Sequence, residues 1–217
     1  MALVVLLLAA LIWWMLDRRD PKSLNDTYLS GDRNVGCVRV FIASDESGSM
    51  YEFIGPRSQA LAQLVEWAPT NLRGDDELSV LAFSGQTEVA MPPTAIANSP
   101  APLATPGPTD GTSLNALLTA IRELPRSQCV QSLVLLSDGK FHDLPSSEGM
   151  ARQELRDAGI DKLFLLVPGK DIVVAGEWPT LYPYATPVVF DGTDPDKTGL
   201  AFGSAFADIT GQDLDKR

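Results

Sequence analysis

Three short segments of the chain concentrate hard oxygen donors: Asp45-Glu46-Ser47-Gly48-Ser49, Asp110-Gly111-Thr112-Ser113 and Ser137-Asp138-Gly139. Two carboxylates, Asp45 and Asp138, and three hydroxyls, Ser47, Ser49 and Thr112, suit Mg2+ or Mn2+. With one histidine and two cysteines in 217 residues, a zinc-type ligand set is lacking. In an extended or turning segment alternate residues face the same way, so Asp45, Ser47 and Ser49 converge while Glu46 points elsewhere. Gly48 lets the backbone turn tightly between them. Mg2+ takes near-octahedral oxygens at about 2.0–2.1 Å and usually keeps waters, so a site assembled from three loops leaves a position open.

Each segment needs a rigid element to deliver it. Val38 to Ala43 is a β-branched-rich run that ends at Asp45, and Leu61, Leu64, Val65 and Ala68 then recur at helical spacing. Leu78 to Phe83 reads as a second strand, with a shorter one expected around Glu88 to Met91. Met91 to Gly111 holds six prolines without periodicity and reads as a proline-stiffened loop ahead of Thr112. Leu114, Leu117, Leu118 and Ile121 share one helical face, and Val130 to Leu136 is a buried-strand run leading to Ser137 and Asp138. Ser147 to Ala158, closed by Gly159, has helix start and stop signals. Leu163 to Val167 and Pro187 to Phe190 complete the strands. Leu200 to Thr210, closed by Gly211, is a last helix with Phe202, Ala205, Phe206 and Ile209 inward.

Strands that alternate with helices imply parallel pairing by right-handed crossovers, and continuously apolar strands imply a sheet covered on both faces. The expected fold is α/β: a doubly wound, mostly parallel six-stranded sheet flanked by helices. In such sheets ligands sit outside the carboxyl ends of the strands, where strand order reverses. The three oxygen-rich segments fall at such ends.

The D-x-S-x-S segment Asp45 to Ser49, the Gly-Thr step at Thr112 and the Ser-Asp-Gly turn at Asp138 resemble the metal-ion-dependent adhesion site (MIDAS) of von Willebrand factor A domains. The resemblance covers roughly residues 37–217. It implies a Rossmann-like fold and a site formed by Asp45, Ser47, Ser49, Thr112 and Asp138. It also implies serines and a threonine that coordinate directly or through water, aspartates that often act through water, and a partner carboxylate that completes the shell. Glu46 fills the variable position, and Asp110 replaces the small residue often found before the Gly-Thr step. The bland alternative, in which the serines cap a helix and the aspartates fill turns, explains each segment but not their joint placement.

Other chemistries fit less well. A strand ending in aspartate also opens haloacid-dehalogenase-type phosphatases, but their general acid, two residues on, is here Ser47. A serine hydrolase needs a positioned base and a Gly-x-Ser-x-Gly elbow; the one histidine, His142, sits in a loop and the elbow is absent. No phosphate-binding glycine motif supports a nucleotide. With 17 basic against 28 acidic residues and a net charge of −11, the chain lacks the basic face that nucleic acid requires. Trp67 reads as core, whereas Trp178 and Tyr182 to Tyr184, in a loop-like stretch, are candidates for partner contact.

Ala2 to Leu16 is fifteen consecutive apolar residues closed by Trp13-Trp14 and followed by Arg18, Arg19 and Lys22. A helix over residues 1–16 would rise about 24 Å, slightly short of a bilayer core of about 30 Å. The run lacks a preceding positive charge and an Ala-x-Ala exit, so a retained signal-anchor is expected rather than a cleaved signal peptide. Residues 17–36 then read as a polar tether, and 37–217 as the domain. Basic residues after the span place the domain on the cytoplasmic side by the positive-inside tendency. Cys37 lies eight residues before Asp45 and Cys129 nine before Asp138. With the aspartates in register, straight strands would aim the thiols at opposite faces, so two reduced thiols are expected.

The functional expectation is a non-enzymatic, metal-dependent protein-interaction module on a membrane tether. The alternatives are a metal-independent scaffold, such as a helper subunit of an AAA+-type ATPase, and a metal-dependent hydrolase.

Overall fold

The computed structural model describes residues 21–98 and 110–217. The expected membrane helix over residues 1–16, the first residues of the tether and most of the proline-rich loop lie outside these. Among the described residues, no helix is long and apolar enough to cross a membrane.

Strand β2 (Val38–Asp45) is buried at every position, the mark of a central strand covered on both faces. It is flanked by β3 (Glu77–Phe83) and β5 (Val130–Leu136), both parallel to it. The six-stranded sheet continues outward through β4 (Thr87–Ala95) on one side, and β6 (Lys162–Val167) and β7 (Val188–Val189) on the other, in the order β4-β3-β2-β5-β6-β7. Within this sheet only β3 and β4 pair antiparallel. β4 is longer than the expected Glu88 to Met91 strand and includes Pro92 and Pro93, which an edge strand tolerates because one side of its backbone needs no ladder partner.

Alternation sorts the core into two layers. Val38, Val40 and Ile42 of β2, with Val134 and Leu136 of β5, pack beneath α1 (Ile54–Asn71) and α5 (Pro195–Thr210). Phe41, Ala43, Leu133 and Leu135 face α2 (Leu114–Glu123), α3 (Glu148–Asp157) and the short α4 (Trp178–Leu181). Phe202, Ala205, Phe206 and Ile209 are buried as their spacing predicts. Trp67 is core, with its indole N–H donating to Thr27 O at 3.1 Å.

Trp178 and Tyr182 are not a partner surface. Both are almost wholly buried and extend an aromatic row, Phe83–Phe141–Trp178–Tyr182, with successive centroids 6.0, 6.0 and 4.5 Å apart. The Gly and Pro content of this stretch reads as exposed loop, but a one-turn helix turns its aromatics inward. Tyr184 alone stays partly exposed, with the Arg152 guanidinium 4.3 Å above its ring.

The segment that reads as a tether is also part of the domain from residue 21 onward. β1 (Thr27–Ser30) pairs antiparallel with β8 (Asp213–Lys216), joining the start of the described chain to its end. Arg33 forms a bidentate ion pair with the buried Asp76, at 2.7 Å for each contact, and the same carboxylate accepts from Val38 N and Arg73 N. Leu24 is fully buried against α5, where a side chain at Gly203 would stand only 2.6 Å from Leu24 Cδ1. The packing is aperiodic, so no residue spacing announces it. Leu24→Ala should therefore destabilise the domain by about 2–5 kcal/mol, as buried leucine truncations do. A denaturant midpoint unchanged by this substitution would return the segment to the status of a tether.

Cys37 and Cys129 form a disulfide with Cα atoms 4.8 Å apart, which overturns the expectation of two reduced thiols. That expectation assumed Asp45 opposite Asp138. The observed register pairs Val38 with Val130 and Ser44 with Leu136. Continuing that register sets Asp45 opposite Ser137, Asp138 lies two residues beyond the last paired residue of β5, and the cysteines face each other on one side of the sheet.

Candidate metal and partner site

The carboxyl ends of β2 and β5 carry the site, at the point where the chain order of the strands reverses. Asp45, the last residue of β2, is fully buried. Its Oδ1 accepts from Ser47 N at 2.9 Å, which turns the chain away from the strand, and its Oδ2 accepts from Ser137 Oγ at 2.6 Å. Burial pushes the Asp45 carboxyl above its ordinary range; hydrogen bonds from Ser137 and Ser47 act against this, and the charge of Asp138 adds to it. A cation at this position would relieve both burial and repulsion.

Ser47 precedes a 3-10 segment, Gly48–Phe53, yet its side chain caps nothing. Instead the Ser47 and Ser49 hydroxyls lie 3.2 Å apart, and Ser49 Oγ donates to Asp138 Oδ2 at 2.9 Å. The capping interpretation of the serines belongs to Ser113, whose Oγ accepts from Ala116 N at the start of α2. Asp138 is buried, and its Oδ1 accepts from Lys140 N at 3.0 Å. Gly139 follows with φ +72°, a left-handed conformation, and a side chain there would meet Val174 Cγ1 at 2.8 Å. The third position of the Ser-Asp-Gly turn thus requires glycine on both counts.

The structure brings Asp45, Ser47, Ser49 and Asp138 together in one hydrogen-bonded run. Thr112, also buried, is held at the same end through its backbone. His142 N donates to Thr112 O at 3.1 Å, and Ser113 N donates to Ser84 O at 2.7 Å. These bonds tie the Thr112 loop to the end of β3 and to the loop that follows Asp138.

Several residues of the site are not evident from the motifs. Ser137 reads as part of a turn, but it is the donor that orients Asp45. Asp143 accepts from Ser113 Oγ, Leu114 N and Asn115 N, fixing the start of α2 behind Thr112. Arg57 of α1 reaches back to Asp45 O at 3.2 Å and Glu46 Oε1 at 2.6 Å, with both side chains of the ion pair 5% exposed. Glu46 points away from the oxygen cluster, as alternation predicts, and into this pair. Arg57 had a legible signal: it shares the buried face of α1 with Leu61, Leu64 and Ala68, and a guanidinium on such a face needs an anion.

Among the described residues, no group of three or more His, Cys, Asp or Glu side chains is placed to hold a metal. The donor set is two carboxylates with hydroxyls, which fits a hard divalent cation that keeps some of its waters.

A doubly wound sheet with hydroxyls and carboxylates gathered at a strand-order reversal defines a ligand-binding α/β sandwich. More specifically, the chain has a von Willebrand factor A-type fold. No protein-family model matches the sequence, and no curated protein does. Solved structures do match. BatB, a conserved hypothetical protein from Bacteroides thetaiotaomicron, has a TM-score of 0.54 at 16% identity over 80% of this chain and 99% of that one. A von Willebrand factor type A protein from Catenulispora acidiphila has a TM-score of 0.57 at 16% identity over 87% and 49%. Proximal thread matrix protein 1 from the mussel byssus, with a zinc-occupied MIDAS motif, has a TM-score of 0.51 at 16% identity over 88% and 50%. The present chain spans about half the length of the last two.

Proposed function

We propose that the chain is a non-enzymatic, metal-dependent protein-interaction module. In this reading Asp45, Ser47, Ser49, Thr112 and Asp138 hold a Mg2+ or Mn2+ ion, and a protein partner supplies a carboxylate to it. The observation that carries the reading is the hydrogen-bonded run from Ser137 through Asp45, Ser47 and Ser49 to Asp138 across two adjacent strand ends. The ion would supply a concentrated positive charge that accepts an oxygen lone pair. Ser47, Ser49 and Thr112 are neutral donors, so Asp45 and Asp138 just balance the ion's double charge. The Lys140 ammonium, 3.5 Å from Asp138 Oδ2, leaves the site with positive charge in excess. An incoming carboxylate would balance that excess. Ser137 and Ser49 donate to carboxylates, an arrangement that orients ligands rather than activates a nucleophile.

The N-terminal apolar run serves as the membrane tether in this reading. In this reading the domain faces away from the cytoplasm, against the side suggested by Arg18, Arg19 and Lys22. What supports it is the Cys37–Cys129 disulfide, since disulfides are rare in reducing compartments, whereas the positive-inside tendency is statistical.

Immobilised full-length protein should capture a partner from detergent-solubilised membranes in Mg2+, and both EDTA and Asp45→Ala should abolish the capture. Capture that survives both would favour the metal-independent scaffold. Turnover of a phosphate- or carboxylic-ester panel by the wild type, lost in Asp45→Ala, would contradict the non-enzymatic reading.

A further inference from the structure

The two most exposed large apolar side chains among the described residues are Tyr51 and Val173, at 77% and 76%. Both belong to segments at the carboxyl end of the sheet, where the site lies. Tyr51 belongs to the same 3-10 segment as Ser49. Val173 precedes Val174, which packs so closely on Gly139, next to Asp138, that no side chain would fit there. A cavity of about 330 Å3 opens between the 3-10 segment and the loop after β6, lined by Phe53, Pro168 and Ile172 together with the charged Glu52, Lys170, Asp171 and Asp191. Nothing in the fold covers Tyr51 and Val173, although the domain buries aromatics as large as Trp178 and Tyr182 elsewhere.

Charge at the same end narrows what can cover them. Lys140 pairs with Asp138 while its side chain remains 58% exposed, so its ammonium keeps hydrogens for an outside acceptor. Glu52, Asp110 and Asp171 are also exposed there, on a chain of net charge −11. A run of acidic residues would be repelled by this rim, whereas one carboxylate finds a cationic centre with exposed apolar side chains in the neighbouring segments.

We propose that this face binds a partner segment with a single carboxylate flanked by apolar residues, with Tyr51 and Val173 against the flanks and Lys140 as a second anchor for the carboxylate. The proposal rests on the metal-dependent reading above and adds the class of partner to it. Lys140, Tyr51 and Val173 would set specificity without holding the ion.

The test uses the full-length protein in detergent with Mn2+ and three synthetic heptapeptides, each with a central glutamate flanked by leucine and phenylalanine, by serine and glycine, or by further glutamates. The apolar-flanked peptide should bind at least tenfold more tightly than either of the others. Tyr51→Ser combined with Val173→Ser should erase that preference, and Lys140→Ala should weaken all peptide binding several-fold. Calorimetric Mn2+ affinity without peptide should stay within twofold of wild type for Tyr51→Ser/Val173→Ser. Equal binding of the apolar- and serine-flanked peptides, strongest binding of the polyglutamate peptide, no peptide binding by Mn2+-loaded protein, or a preference retained in the double variant would overturn the proposal. Failure of Mn2+ alone to bind the wild type would instead overturn the reading on which it rests.

Discussion

Arg57→Ala should destabilise the protein by about 3–5 kcal/mol, the loss expected when one member of a buried ion pair is removed and the other charge stays buried. The Arg57 and Glu46 side chains are each 5% exposed, so water cannot replace the missing guanidinium. The effect should also reach the site, because Arg57 holds the backbone carbonyl of Asp45. A pairwise control separates charge from packing. Arg57→Met combined with Glu46→Gln removes both charges while keeping volume, and should be markedly less damaging than Arg57→Ala alone. Denaturant unfolding monitored by far-UV circular dichroism provides the measurement. A loss below about 1 kcal/mol for Arg57→Ala, typical of exposed ion pairs, would show that the pair is solvated.

The second large effect is expected at the disulfide. Cys37 and Cys129 close a loop with a sequence separation of 92 residues. For a loop of that length the chain-entropy model gives about 4–5 kcal/mol, and removal of native disulfides typically costs about 2–5 kcal/mol. Cys37→Ser/Cys129→Ser should lower stability within that range and lower the melting temperature by roughly 2–4 °C for each kcal/mol. Because Val130 N already donates to Cys37 O at the start of this strand pair, the β2–β5 ladder should survive and the variant should remain folded at low temperature. A melting temperature equal to wild type, or an alkylation assay finding two free thiols in protein isolated from its native compartment, would refute the assignment and return the domain to a reducing environment.

The parts of this molecule that can be read from its sequence are those governed by period. Mostly apolar runs mark β2, β3, β5 and β6 because both faces of each strand are covered, and four of the five proposed ligands converge because strand ends fix short turns. What escapes is pairing between distant segments. The register of β2 against β5 differs by one residue from the alignment of Asp45 with Asp138, and a shift of one exchanges the faces on which Cys37 and Cys129 point. Leu24 and Arg33 sit in a polar, turn-rich stretch, and only the assembled α5 notch and the buried Asp76 give them partners. Pro92 and Pro93 read as loop because the edge position that tolerates them is a property of the whole sheet. Trp178 and Tyr182 look like loop aromatics until a one-turn helix aligns them behind Phe141.

Titration of Mn2+ and Mg2+ into the full-length protein by calorimetry, beside Asp45→Ala and Asp138→Ala, tests the central claim most directly. One ion should bind per chain, and each variant should bind at least tenfold more weakly. At a hundredfold excess over Kd the ion should stabilise the wild type by about 2.7 kcal/mol. No heat of binding and no stabilisation in the wild type, or affinity retained in Asp45→Ala, would contradict the account and leave the oxygen cluster as a set of strand-end turns.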